Sequence, residues 1–157
     1  PHGSRWARSA PPLHGDVAPI ANALVVGDSV YLFDVGNGVL RQLDAAGFAP
    51  RNLRGVFISH HQIDQNAYLG LVIVQNWLLG SRRPIPVMGS PGTVALVEGL
   101  VAANAPTELA SFAVAGTPNP PLGSVVAARN LPALMDAPTL VYEDDQVAAW
   151  RRARTCW

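Results

Sequence analysis

The stretch Gly55-Val56-Phe57-Ile58-Ser59-His60-His61-Gln62-Ile63-Asp64-Gln65-Asn66 decides how this chain is read. Its first part is a short apolar run that reads as a buried strand over Gly55–Ser59. Its second part sets two histidines, an aspartate and two glutamines at the strand's end, before a long apolar segment. Side chains there project into the crevice outside the sheet, where open α/β folds usually hold their ligands. His60 and Gln62 are two apart, so in extended backbone they point to the same side. Asp64 and Gln65 begin the turn into a helix. Nitrogen and oxygen donors in this pattern suit divalent ions, and neutral imidazole is a good zinc ligand. A glutamine contributes only a neutral amide oxygen. The other reading is a polar strand end whose histidines bond to neighbouring backbone, and these residues alone leave both open.

Working outward, two β-rich runs between Asn22 and Asp34 flank Gly27-Asp28-Ser29 and read as a hairpin. The second run ends in Phe33-Asp34-Val35-Gly36-Asn37-Gly38. The glycines permit a sharp turn into a helix over Val39–Ala46, which Gly47 stops. Asp34 sits at the edge of the core, where a carboxylate needs hydrogen-bond partners, and a capping or turn role is its plain reading. Downstream, the apolar pattern predicts a helix over Asn66–Leu79 and a strand over Ile85–Met88. A helix follows from Ser90-Pro91-Gly92-Thr93 to about Ala103, with the proline near its first turn. A Gly/Pro loop is expected over 112–123, with strands over Ser124–Asn130, Thr139–Tyr142 and Val147–Arg152. Alternation of this kind predicts an α/β layered domain. Residues 1–20, rich in Pro, Gly, Arg and Ser, read as a loop-rich N-terminal segment, and residues 21–157 as the domain.

The 157 residues suit one domain. Apolar residues make up 49% and charged residues only 14%, which fits an interface or a partner segment. Eleven basic and eleven acidic residues give zero net charge, which removes the main electrostatic argument for a nucleic-acid binder or a membrane-surface protein. The single cysteine, Cys156, permits neither an internal disulfide nor a cysteine-built zinc site. The apolar stretch Ala67–Gly80 is too short to span a bilayer, and no signal peptide is visible. The expected location is soluble, either cytoplasmic or exported after removal of a leader. Gly36-Asn37-Gly38 also invites a nucleotide-binding reading, against which stand the missing third glycine and the missing Lys-Ser/Thr pair.

Taken in order, the strand ending in Phe-Asp-x-Gly-x-Gly, the helix with Arg41-Gln42-Leu43 and the strand Gly55–His60 resemble the metallo-β-lactamase superfamily. The likeness is nearest to the branch of tRNA 3′-processing endonucleases and arylsulfatase-like hydrolases. Pro84–Thr93 is similar to that family's next strand, loop and helix, and Val141–Val147 to a later hairpin. The resemblance implies an αββα sandwich, of which this chain supplies about the first half, with a homo-oligomer or a partner chain completing the fold. It implies metal-dependent hydrolysis of an ester, either small-molecule or nucleic-acid, with zinc or another divalent ion.

The family signature is His-x-His-x-Asp-His. Carried over by position, His60 is the first ligand, Gln62 stands at the second, Asp64 is the metal-binding and catalytic aspartate, and Gln65 stands at the last. His61 falls on the variable position, and Asp34 matches a carboxylate that supports the site from behind. A later family histidine aligns with Arg154, whose guanidinium could pair with Asp64 and replace the ion's charge; the other reading makes Arg151, Arg152 and Arg154 a solvated basic strand end. The resemblance thus implies a weakened ester hydrolase. The alternative is a non-catalytic member that keeps the fold for binding or assembly.

Overall fold

The computed structural model describes residues 2–5, 20–79, 83–115, 120–133 and 135–152. The strands are β1 (His2–Arg5), β2 (Asn22–Val26), β3 (Ser29–Phe33), β4 (Leu53–Ile58), β5 (Ile85–Gly89), β6 (Val126–Asn130), β7 (Thr139–Glu143) and β8 (Ala148–Arg151). The helices are α1 (Val39–Ala45), α2 (Ile63–Asn66), α3 (Leu69–Leu78), α4 (Thr93–Ala103) and α5 (Ala105–Ala115). Among the described residues, β1 to β6 form one sheet in chain order and β7–β8 a separate antiparallel pair. β1, β2 and β3 are antiparallel neighbours, whereas β3 through β6 run parallel. Parallel neighbours require crossover connections, and the helices between these strands supply them.

Alternation along the strands sorts the side chains to two faces. Val30 and Leu32 of β3, Val56 and Ile58 of β4, and Ile85 and Val87 of β5 point to the face that the helices cover. There they pack with Val39 and Leu43 of α1, with Leu69, Val72, Ile73 and Trp77 of α3, and with Val97 of α4. On the opposite face, Met88 joins Leu131 and Val141 in a smaller cluster with Phe57 and Tyr142 under the β7–β8 pair. Phe33 stacks on Phe57 with ring centroids 4.9 Å apart, and Tyr142 meets Phe57 edge-on at 5.6 Å.

The acidic turn after β7 is fastened to this second face. Asp144 Oδ2 accepts from the hydroxyls of Tyr31 and Tyr142 at 2.7 Å each. Its Oδ1 accepts from the backbone N–H groups of Gln146 and Val147, both at 2.9 Å. The arginines on this side hold carbonyls: Arg129 donates to Val141 O, and Arg151 to Pro132 O and Ala133 O.

Three expectations change. The helix expected over Asn66–Leu79 begins only at Leu69, and Asn66 instead ends the separate short α2, because Val35 pins the join between them: its N–H donates to Gln65 O at 2.6 Å and its carbonyl accepts from Tyr68 N–H at 3.0 Å. Residues 105–115 are helical, where the 112–123 stretch was read as loop; Pro106 sits in the first turn, a position that helices tolerate. Residues 2–5, read as loop, pair with β2 as an edge strand. No helix among the described residues is long and apolar enough to cross a membrane.

Candidate functional site

The parallel strands β3 to β6 deliver their C-terminal ends to one edge of the sheet, the edge where α/β folds usually bind ligands. Asp34 follows β3, Ser59 and His60 follow β4, Ser90 follows β5, and Asn130 ends β6. Backbone bonds hold these ends together: Asp34 N–H donates to Phe57 O at 2.8 Å, and Leu131 N–H to Gly89 O at 2.6 Å. Gly89 allows the closeness, since a Cβ there would fall 2.8 Å from Ile58 O and 2.9 Å from Ile58 Cβ.

Asp34 is the anchor. Its backbone is left-handed at φ 63, a conformation that Asp tolerates better than most residues. This turn aims the carboxylate at the next strand's end, where Oδ1 accepts from Ser59 N–H and Oδ2 from Ser59 Oγ, each at 2.7 Å. The residue is 6% exposed. Burial pushes its carboxyl above the usual carboxylate range, and the two bonds from Ser59 and the nearby His60 ring only partly offset that.

The hydrogen bonds running outward from Asp34 orient the ring of His60. The one hydroxyl proton of Ser59 is committed to Asp34. Ser59 Oγ therefore accepts from His60 Nδ1–H, 3.0 Å away. The other ring nitrogen, Nε2, lies 3.0 Å from Gln62 Oε1. With Nδ1 donating to Ser59, Nε2 faces the Gln62 amide, whose N–H can donate to it when the amide is turned over. The atom an ion would need is thus in contact with Gln62.

His61 makes a different connection. Thr93 Oγ1 donates to Ser90 O at 2.8 Å, which leaves the hydroxyl free to accept from His61 Nε2–H at 3.3 Å. Asn66 Nδ2 donates to His61 Nδ1 at 3.4 Å. His61 thus ties the loop after β4 to the start of α4. Asn130 Oδ1 fastens the same helix start by accepting from Val94 N–H at 3.0 Å. Asp64 is partly buried in the single turn of α2, and Gln65 beside it is 2% exposed with no hydrogen-bond partner for Oε1.

The chain therefore brings Asp34, Ser59, His60 and Gln62 into one hydrogen-bonded line, with His61 bound separately to α4. Arg154 lies outside the described residues, so its pairing with Asp64 remains an expectation. Ser59, Thr93, Asn66 and Asn130 join the site without having been singled out in the sequence. Asn130 could have been found as a polar residue closing a strand that ends at the same sheet edge.

These residues do not fit a two-metal centre. Among the described residues, no three His, Cys, Asp or Glu side chains form a group able to hold an ion. His60, which the resemblance puts at a ligand position, has its outer nitrogen 3.0 Å from the Gln62 amide. Gln65, which the resemblance puts at the last ligand position, offers only an amide, and zinc takes imidazole, thiolate or carboxylate donors in preference.

No protein-family model matches the chain. It is 36% identical over 81 residues to ribonuclease Z of Pyrococcus horikoshii, a match covering 50% of this chain and 26% of that protein. It is 35% identical over 75 residues to ribonuclease Z of Mycobacterium bovis, covering 46% and 27%. The matched part thus spans about a quarter of the length of these curated relatives. The crystal structure of the short form of human tRNase Z superposes with a TM-score of 0.59 at 19% identity, over 92% of this chain and 55% of that one. The metallo-β-lactamase fold protein YhfI of Bacillus subtilis gives 0.54 at 16% identity, over 94% and 56%. The chain thus has the metallo-β-lactamase fold, and its sequence likeness lies with the ribonuclease Z members of that superfamily.

Proposed function

We propose that this chain keeps the scaffold of a metal-dependent phosphodiester hydrolase and uses its crevice to bind such an ester, transfer RNA by its likeness, without cleaving it at a two-metal centre. The observation that carries this reading is the 3.0 Å contact between His60 Nε2 and the Gln62 amide. A metal centre of this class works by activating a water and stabilising developing charge, and both need ligand lone pairs that are free. At the same sheet edge Asp34 holds Ser59, while His61 and Asn130 bind the start of α4. The substrate class rests on the ribonuclease Z likeness.

Weak hydrolysis is the second reading. Asp64 is retained, and the buried, unpartnered Oε1 of Gln65 beside it is an acceptor that a cation would satisfy.

The test compares the unmodified protein, purified without chelator, with the double variant Gln62→His/Gln65→His. Metal content is read by mass spectrometry, tRNA binding by fluorescence anisotropy and phosphodiesterase activity with bis(p-nitrophenyl) phosphate. The unmodified protein is expected to bind tRNA, to carry less than stoichiometric metal and to show no hydrolysis, and the double variant is expected to gain metal. Stoichiometric zinc with hydrolysis in the unmodified protein would establish the second reading, and failure to bind tRNA would remove the substrate class.

A further inference from the structure

The contact that argues against metal has a consequence for Gln62 itself. A glutamine replacing a histidine ligand can do either of two things. It can act as a poor ligand, contributing a neutral oxygen to whatever ion arrives. Or it can act as a lock, binding the remaining histidine so that no ion reaches it. These differ in the sign of one measurement, since removing a poor ligand weakens metal binding and removing a lock strengthens it.

We infer that Gln62 is a lock on His60. This deepens the reading of the crevice as a non-hydrolytic site, on which it rests. Three observations support it. The Gln62 amide lies 3.0 Å from His60 Nε2, the atom an ion would need. The opposite ring nitrogen is held at 3.0 Å by Ser59 Oγ, and Ser59 is held in turn by two bonds from Asp34. The imidazole is thus gripped from behind and keeps its Nε2 toward Gln62. Finally, the two residues are two apart in sequence, with Gln62 in extended backbone, the spacing at which a His-x-His pair closes on one ion. With glutamine in the second position, the same geometry closes the pair on itself. Gln62 is solvent-exposed, so its side chain carries little packing and can be truncated without disturbing the core.

Gln65 stands apart. It is buried, its Oε1 has no hydrogen-bond partner among the described residues, and none of the hydrogen bonds of His60 goes to it. Its truncation should therefore leave access to His60 unchanged.

The experiment uses the full chain and its Gln62→Ala, Gln65→Ala and His60→Ala/Gln62→Ala variants, titrated calorimetrically with zinc chloride. Competition from one ordinary hydrogen bond corresponds to about a three- to tenfold change in affinity. Gln62→Ala is expected to bind zinc tighter than the unmodified chain by that factor, Gln65→Ala is expected to show no gain, and the double variant is expected to lose the gain. Weaker binding in Gln62→Ala than in the unmodified chain overturns the lock and makes Gln62 a ligand. A second readout needs no metal: the rate at which diethyl pyrocarbonate modifies His60, followed by peptide mass spectrometry with His61 as internal reference. It is expected to rise in Gln62→Ala by a similar factor, and an unchanged rate overturns the inference. An overturned lock with no hydrolysis by the unmodified protein leaves the non-hydrolytic reading standing. Hydrolysis by the unmodified protein removes that reading whatever Gln62 does, so the two failures are separable.

Discussion

Replacing Asp34 by alanine, glycine and asparagine separates two effects that the structure superimposes at one residue. The carboxylate receives two short bonds from Ser59, each 2.7 Å. Hydrogen bonds to a charged group contribute roughly 1.5–3 kcal/mol each, and burial of the carboxylate, visible in its raised pKa, offsets part of that sum. Loss of both bonds should therefore cost about 2–4 kcal/mol. The backbone at φ 63 adds a second cost. An ordinary L-residue in the left-handed region is disfavoured by roughly 1–2 kcal/mol, whereas glycine is not. Alanine should thus destabilise by about 3–6 kcal/mol, and glycine by about 1–2 kcal/mol less. Asparagine tolerates this φ and keeps an acceptor for Ser59 N–H, so about 1–2 kcal/mol is expected. Urea unfolding followed by tryptophan fluorescence measures all three, with the buried Trp77 as reporter. Equal values for alanine and glycine would refute the conformational part. An alanine cost below about 1 kcal/mol would refute the role of Asp34 as the anchor of the β4 end.

The Asp144→Asn variant should lose stability at neutral pH, by an amount that shrinks as pH falls. Burial alone would raise this carboxyl, but the bonds from Tyr142, Tyr31, Gln146 and Val147 outweigh it and hold the group at about 2 against an ordinary 3.8. Its contribution is therefore complete above pH 3.8 and lost as pH falls through about 2. The full linkage equivalent is about 2.4 kcal/mol, and partial solvent access reduces the expected difference at pH 7 to about 1 kcal/mol, read from urea midpoints across pH. Asp34 has the opposite sign: ionising it costs stability as pH rises from 3.8 through its raised folded value, and Asp34→Asn should abolish that slope. Gly89→Ala should cost about 2–4 kcal/mol, because its new Cβ meets the Ile58 backbone, which cannot swing aside. Asn76→Leu should stabilise the fold by about 1–2 kcal/mol, because both amide atoms of Asn76 are buried without partners and leucine has nearly the same shape; a lower thermal midpoint would count against that.

The helical and strand periods of this chain are strong where burial is one-sided. For that reason the β2–β3 hairpin, α1, β5 and α4 lie close to where the apolar pattern puts them. The misplaced elements share a cause. The break between α2 and α3 comes from Val35, thirty or more residues earlier, and no local pattern around Ala67 and Tyr68 announces it. Helix α5 begins with Ala105-Pro106-Thr107, a sequence that reads equally as a turn until the chain behind α4 requires a helix. Strand β1 exists because β2 has a free edge to pair with, which is a property of the sheet and not of residues 2–5.

The site divides along a similar line. That His60 and Gln62 share a side followed from spacing alone, because a period of two is a local property of extended backbone. Which of them would present itself to an ion did not follow, because it depends on where one hydroxyl proton goes. The Ser59 proton goes to Asp34 because a left-handed residue 25 positions earlier turns its carboxylate under the end of β4. That commitment orients the imidazole, and the orientation decides that Gln62 meets Nε2. A signature with two of its donors replaced looks, in one dimension, like a site with fewer ligands. Under the inferred lock, the replacement also changes what the neighbouring imidazole does: His60 keeps its place with its Nε2 against the Gln62 amide. Counting donors would then overestimate residual metal affinity, and truncation of Gln62 alone tests the sign.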